Sequence, residues 1–376
     1  MDERLLPLHR RLFRRIRRTP TSATVAHVLA HGRARGGDWR DDWRGYAQWG
    51  RPGDGTGGRD DVRANGPTTV PLPDREPFVT SASQLTARPI LTARDVTDWG
   101  RADFVADPFL FLGDDLHLFV EVCNYDRTPE AAIGHATSPD GGRTWEYDRV
   151  VLAGDRHLSY PYAFSWDGEH YLLPEVGGRT GTAVWLFRAD AFPYRWRRVA
   201  CLVSPPHNTD DHVLFRWGGR WWLLVGDQTR GSLYAYYSDR LDASEWTAHE
   251  ANPVVSGRPE GSRPAGRPVV FEDRILLFLQ DCTSHYGHQV RAYEITHLSP
   301  TAYRDREHLA SPALAPRRER AWAAGRTHHI DPWYVGDGWL CAVDGDVSDR
   351  LRRVTDDRWS VGLAFLPTPR GSEGSP

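Results

Sequence analysis

Lysine does not occur in the 376-residue sequence, so all 47 basic side chains are arginine. They stand against 50 acidic ones, for a formal charge of −3 at pH 7. That near balance removes the positive field on which nucleic-acid binding rests, and no nucleic-acid partner is expected. Cysteine is scarce: Cys123, Cys201, Cys282 and Cys341 lie far apart, which excludes a CxxC metal or redox pair and leaves free, mostly buried thiols in a reducing compartment as the expectation. No run approaches roughly 18 apolar residues, and the N-terminus lacks the apolar core and small-residue cleavage site of a signal peptide. A soluble, cytoplasmic protein is therefore expected. Also missing are a Ser-His-Asp elbow, a P-loop and a dinucleotide-binding glycine pattern, so no cofactor is expected.

What the chain has in quantity is turn and aromatic residues. Glycine (35) and proline (27) together make up about one residue in six, and aromatics reach 11% with 16 tryptophans against a single methionine. That mixture favours many short strands joined by turns. Residues 1–18 differ: Leu5, Leu8, Leu12 and Ile16 recur at helical spacing opposite Arg10, Arg11, Arg14, Arg15, Arg17 and Arg18. This predicts a basic amphipathic helix, able to lie on an anionic membrane or a partner enzyme, or to pack on its own domain. Residues 31–75, dense in Gly, Asp, Arg and Pro, read as an irregular arm, so that 1–75 forms a helical and irregular N-terminal extension.

From about residue 85 the pattern becomes apolar alternation broken by turn signals. Five segments repeat one design: DPFLFLGDDLHLFVE from Asp107, YPYAFSWDGEHYLLPE from Tyr160, DHVLFRWGGRWWLLVGD from Asp211, RPVVFEDRILLFLQD from Arg267 and DPWYVGDGWLCAVDGD from Asp331. Each is an apolar strand, a short Gly- or Asp-rich turn, a second apolar strand and an acidic residue, which is a β-hairpin. The segments start 53, 51, 56 and 64 residues apart, and Trp145, Trp196 and Trp246 follow the first three at similar spacing. A period of that size holds about four strands and marks the blades of a propeller. The expectation is an all-β, five-bladed β-propeller over 85–365, with 366–376 a disordered tail; a two-sheet sandwich does not account for the recurrence. Ser138 to Trp145, SPDGGRTW, fits the Asp-box pattern of outer propeller hairpins, with Asp140 holding a turn and no catalytic task.

In a hairpin the first strand begins and the second ends at the same edge, so the residues opening and closing the five segments should share one face of the disc. That face would collect Asp107 and Glu121, Tyr160 and Glu175, Asp211 and Asp227, Arg267 and Asp281, and Asp331, Asp344 and Asp346, with His212, His285, His328 and His329 beside them. Carboxylates and arginine hydrogen-bond diols, and aromatic faces cover the C–H surface of a sugar ring. Any single Asp at a strand edge is also a common turn cap, but an acidic residue at the same place in every repeat is harder to assign to capping alone. Glycoside cleavage needs only two placed carboxyl groups, one kept protonated as the acid and one acting as base or nucleophile. The pair His328-His329 lacks further spaced metal ligands, and no metal is expected.

The segments FVADPFLF, HLSYPYAF with LLPEVG, GRPVVF with QDC and YGHQVR, and HHIDPWY resemble the N-terminal region of glucosamine inositolphosphorylceramide transferases over about residues 85–345. The resemblance implies a five-bladed propeller similar to furanosidase-type glycoside hydrolases, followed in the plant proteins by a separate glycosyltransferase domain. With the sequence ending at Pro376, that domain is not expected here, and the transferase activity is not carried over. By similarity to the hydrolases, Asp107 in its Asp-Pro pair would be the general base. The second blade opens with Tyr160 where those enzymes usually have Asp, and the third with Asp211 where they have the acid Glu; Glu175 is the substitute acid.

Two readings follow. In the first, the chain is a glycoside- or glycolipid-acting enzyme with Asp107, Glu175 and Asp211 catalytic and Glu121, Tyr160, His212, Arg267, Asp281, His285, His329 and Asp331 binding substrate. In the second it is a non-catalytic glycan-binding or scaffold module serving a partner enzyme. A plain protein-interaction propeller would instead place apolar patches on that face.

Overall fold

The computed structural model describes residues 76–177, 183–336, 338–347 and 358–367. The basic helix of 1–18 and the arm up to residue 75 lie outside the described residues, as does 368–376; Leu366 and Pro367, expected in a tail, belong instead to the last strand.

Five small antiparallel sheets follow one another along the chain. The first contains β1 (Phe104–Leu112), β2 (Leu116–Cys123), β3 (Ala131–Ser138) and β4 (Glu146–Leu152). The second contains β5 (Leu158–Trp166), β6 (Glu169–Val176), β7 (Val184–Ala191) and β8 (Arg195–Val203), and the third β9 (Asp210–Trp217), β10 (Arg220–Asp227), β11 (Ser232–Ser238) and β12 (Thr247–Ala248). In the fourth the innermost strand is split into β13 (Arg263–Pro264) and β14 (Val269–Val270), followed by β15 (Ile275–Asp281), β16 (Gln289–Leu298) and β17 (Tyr303–Glu307). The fifth has three strands of its own, β18 (Ile330–Tyr334), β19 (Gly338–Asp346) and β20 (Trp359–Pro367). The protein is a five-bladed β-propeller.

Local sequence explains the hairpins. Asp167-Gly168 and Gly218-Gly219 all have positive φ, the backbone that tight two-residue hairpin turns demand. Each blade is covered by its neighbours on both faces, so its second strand reads as a continuous apolar run: Trp221 to Val225 on β10 are all buried. Trp145, Trp196 and Trp246 stand at the start of the outermost strands β4, β8 and β12, the same place in three successive blades. Asp140 accepts hydrogen bonds from the Arg143 and Thr144 amides and the Thr144 hydroxyl, which fixes the β3–β4 turn. No disulfide joins any of the four cysteines.

The ring is closed by the start of the described chain. Leu85 and Leu91 pair with Ala364 and Val361 of β20, and the Thr86 and Ile90 amides donate to the Leu363 and Val361 carbonyls. Residues 85–91 thereby supply the outer edge that the fifth blade lacks. A clamp from the fourth-to-fifth-blade connection holds this segment: Arg317 donates to the Val79 carbonyl, Arg320 to Leu85 and the Trp322 indole to Thr86. Trp322 fits because two positions beneath it are glycine; a Cβ at Gly362 would lie 2.3 Å, and one at Gly345 2.8 Å, from its ring carbons. Replacing Trp322 by Ala removes a buried aromatic and the indole bond together. The expected loss is about 3–5 kcal/mol in urea unfolding; a change below about 1 kcal/mol would show that the closure does not depend on the clamp.

Candidate functional site

Three residues at equivalent points of successive inner strands have left-handed backbone: Asp107 (φ 51°), Tyr160 (φ 47°) and Asp211 (φ 45°). Each sits where the strand pairing slips, at a bulge between Ala106 and Phe109, between Ser159 and Tyr162, and beside Asp210. Such backbone costs on the order of 1–3 kcal/mol per residue and persists only where neighbours hold it. Here the neighbouring blade does so. The Asp107 amide donates to Asp344 (3.3 Å), the Tyr160 amide to Asp107 (3.3 Å) and the Asp211 amide to Glu175 (2.8 Å). In the fourth blade the kinked residue is Gly266 (φ 127°), whose amide donates to the Tyr160 hydroxyl at 2.6 Å. Only glycine fits there, since a Cβ would fall 1.7 Å from the Ile330 carbonyl oxygen.

These kinks turn a set of carboxylates toward one another. Asp107, Glu121, Glu175, Asp211 and Asp344 come from four blades, and none is more than 7% exposed. Their main cationic partner is Arg263 of β13, whose Nε lies 2.6 Å from Asp211 and whose NH2 lies 4.0 Å from Glu175. Gln280 also donates to Asp211, at 2.8 Å. On the fifth-blade side His328 Nδ1 lies 2.6 Å from Asp344 and its Nε2 3.7 Å from Asp107. The His328 ring stacks on Trp359 at 4.0 Å, and the Tyr286 ring meets its edge at 5.2 Å.

Burial, reinforced by the negative charges of Asp211, Glu121 and Asp344, pushes the Asp107 carboxyl well above its usual value. Burial and the Asp211 charge do the same to Glu175, against the pull of Arg263. Asp344 goes the other way: burial opposes ionisation, yet the His328 ring and the amides it receives hold its carboxyl below the ordinary value. The site thus contains carboxyls driven apart in proton affinity, the condition for acid and base roles on one surface. Among the described residues one group of three metal-type ligands, Asp107, His328 and Asp344, brings ligand atoms within 4.8 Å of one another; a cation there would have to separate the His328–Asp344 contact.

Of the residues singled out in the sequence, Asp107, Glu121, Glu175, Asp211, Asp344 and His328 are brought together. Tyr160 and His329 lie directly beneath them, fully buried, the His329 ring edge-on to Phe109 (4.6 Å) and Tyr160 (5.3 Å). Burial lowers His329 to about 3, so it is a neutral ring at physiological pH. The others are placed elsewhere. His212 is buried against the Pro174 carbonyl, 3.2 Å away, and is lowered to about 4 by burial. Asp281, against the effect of burial, is brought to about 2 by bonds from Gln289, Thr283 and Arg291 that tie off the base of the 282–288 loop. His285 sits on that loop, its ring 5.0 Å from His288.

Arg267 and Asp331 require a correction. Spacing put them at the strand openings, but the fourth blade opens one residue earlier, at Gly266, and in the fifth the Asp344 carboxylate takes the amides of His328 and His329, upstream of Asp331. Both side chains therefore point into the middle of the ring. Arg267 Nε lies 2.8 Å from Asp331, and its NH2 donates to the carbonyls of Ala163 (2.7 Å) and Leu110 (3.4 Å). The second Asp331 oxygen accepts from the Leu110 amide and the Trp333 indole. Their polar atoms are committed to the protein itself. The residues that the sequence reading passed over are Arg263, Gln280, Tyr286 and Trp359; the one available signal was Gly266, which marks the kink and with it Arg263 just upstream.

A profile of the family described as "Glucosamine inositolphosphorylceramide transferase 1, N-terminal" matches residues 75–346. Glucosamine inositolphosphorylceramide transferase 1 of Oryza sativa subsp. japonica is 35% identical over 270 residues, which cover 69% of this chain and 36% of the rice protein. The protein of the same name from Arabidopsis thaliana is 33% identical, covering 69% and 34%. The chain thus spans about a third of the length of the plant relatives it matches. Among solved structures, the catalytic domain of a Coprinopsis cinerea GH62 alpha-L-arabinofuranosidase shares the fold, with a TM-score of 0.54 at 14% identity over 74% of this chain and 95% of that one.

Two predictions follow from the geometry. Arg267→Ala strands the Asp331 carboxylate in the core, so a loss of about 3–5 kcal/mol is expected by denaturant unfolding; near-native stability would show that Arg267 is not a strut. For Asp107 the sign comes from linkage. A carboxyl that holds its proton more tightly folded than unfolded makes stability fall as pH rises above its ordinary value of about 4. Asp107→Asn removes that proton while keeping an acceptor for the Tyr160 amide. The melting temperature of the variant should therefore decline less than that of the parent between about pH 5 and about pH 8; parallel curves would contradict the raised carboxyl.

Proposed function

The chain belongs to the glucosamine inositolphosphorylceramide transferase N-terminal family, and we propose that its propeller recognises the sugar or cyclitol part of a glycoside or glycolipid headgroup at the carboxylate cluster. One observation carries this reading: five buried carboxylates from four blades converge where Arg263 is the principal opposing cation. Burying charge without full pairing is costly, and such clusters are concentrated at functional sites. Ring hydroxyls can donate to carboxylate oxygens, and Tyr286 and Trp359 supply apolar surface beside the cluster. The names of the plant relatives make glucosamine, myo-inositol and inositol phosphates the first ligands to try.

A second reading, glycoside cleavage, is favoured by the proton affinity of Asp107. Because burial and like charge raise the proton affinity of its carboxyl, Asp107 suits the acid that protonates a leaving oxygen better than the base expected from its Asp-Pro context. Asp211 and Glu175 are less free to act, since each already holds a neighbouring group: Arg263 and Gln280 for the first, the Asp211 amide for the second. Recognition is therefore the primary function, with cleavage a further capacity of the same cluster.

Calorimetric titration with glucosamine, myo-inositol and their methyl or phosphate derivatives tests the proposal. Saturable binding that is lost in Asp107→Ala, with the melting temperature within a few degrees of the parent, is the expected result. Turnover of an aryl glycoside that drops by about 10²- to 10⁴-fold in Asp107→Asn would add the catalytic reading. Binding that is unaffected by Asp107→Ala and by Glu175→Gln, each less stable than the parent, would make these carboxylates blade-to-blade braces and nothing more.

A further inference from the structure

The loop of residues 282–288, between β15 and β16, carries an aromatic side chain over the cluster. Among the described residues four large apolar or aromatic side chains are strongly exposed, Tyr194, Tyr286, Leu309 and Val347. Of these, Tyr286 is the one in contact with the site. The residue is 36% exposed, yet the position of its ring is tightly defined. The Arg263 guanidinium lies 5.1 Å from the ring centroid, and the His328 ring meets it edge-on, 5.2 Å away at 86°. Burial pushes the phenol well above its usual value, and the charges of Asp107, Asp211 and Glu121 add to that push against the pull of Arg263.

The loop is built to hold this pose. Its base is fixed by Asp281, which takes the Thr283 amide at 3.0 Å and the Gln289 and Arg291 side chains, and by the Cys282 amide, which donates to the Pro259 carbonyl at 3.0 Å. Gly287 has φ 66°, and a Cβ there would come 2.9 Å from His328 Cβ. The backbone behind Tyr286 therefore rests directly on the ring of the site's own histidine.

Resting on the reading of the cluster as a sugar site, we propose that Tyr286 is its specificity-determining wall, and that the ligand is a six-membered ring with equatorial hydroxyls, a pyranose or a cyclitol. The chemistry is geometric. A ring of that kind presents one flat face of axial C–H bonds and a rim of hydroxyls. Laid against the exposed part of Tyr286, it buries its C–H face on the aromatic surface while its rim points toward Asp107, Glu121 and Asp211. A five-membered furanoside is puckered and lacks the flat face, so it loses the aromatic contact while keeping polar ones. Because the loop is fixed before binding, little ordering opposes the contact.

The test compares the intact chain with Tyr286→Phe and Tyr286→Ala, using methyl β-D-glucopyranoside, myo-inositol and methyl α-L-arabinofuranoside as probes. Saturation-transfer NMR of the parent should show the strongest signal on the axial C–H protons of the pyranoside. Affinity for the six-membered probes should change little in Tyr286→Phe and fall about tenfold in Tyr286→Ala, while the weaker furanoside binding stays level. Binding that disappears in Asp107→Ala but is unchanged in Tyr286→Ala overturns the role of Tyr286 and leaves the sugar site standing. An equal loss in the Phe and Ala variants overturns it too, because the hydroxyl and not the ring face would then be responsible. Absence of binding by the parent to all three probes rejects the sugar site itself and this inference with it.

Discussion

A single buried ion pair ties the ring together from inside. Arg267 of the fourth blade meets Asp331 of the fifth, and between them they reach Leu110 of the first and Ala163 of the second. Each charge is expensive to bury, and what offsets the cost is the number of partners: two backbone carbonyls for the guanidinium beyond its carboxylate, an amide and an indole for the carboxylate, and the rings of Tyr162 and Trp333 packed on the cation at 4.8 and 4.5 Å. Four blades that share no strand pairing thereby agree on one centre. A hydrophobic plug would fill the same space but would not fix which blade stands opposite which.

Around that centre the kinked residues form a second tier of contacts. Asp344, Asp107 and Glu175 each accept the amide of the left-handed residue in the next blade. The strain of positive φ and the burial of the carboxylates are two costs that cancel in part, because the amide exposed by the kink is the donor that the carboxylate needs. The same bulges leave the remaining carboxylate oxygens facing one another. The site is consequently a by-product of how blades are joined, and its unusual proton affinities follow from like charges that the fold cannot move apart. Arg263 and His328 moderate this without neutralising it.

Rigidity has been distributed in accordance with this arrangement. The fifth blade is completed by residues 85–91, which are pinned by Trp322 and Arg320, with Arg317 holding Val79 just upstream. The loop of Tyr286, whose ring meets Arg263 and His328, is anchored at its base by Asp281.

Much of this was legible in the sequence. Five hairpins at a near-constant period fix the blade number, because apolar alternation and turn residues are local properties; Asp107, Glu121, Glu175 and Asp211 fell at one face for the same reason, while the three-stranded fifth blade, completed by residues 85–91, has no such signal. The period could not locate the fourth and fifth openings. Gly266 is kinked because the Ile330 carbonyl comes too close for any side chain, and His328 displaces Asp331 because Asp344 takes its amide; both depend on contacts between blades. Arg263, Tyr286 and Trp359 are likewise invisible to local pattern, since an arginine in a two-residue strand fragment, an aromatic in a loop and one at the start of a strand have no periodic signature. Sequence alone determined the repeat and the face on which polar groups gather. Which of those groups gather in the carboxylate cluster and which turn inward to hold the ring was decided by tertiary structure, because it depends on contacts between blades whose residues are far apart in the sequence.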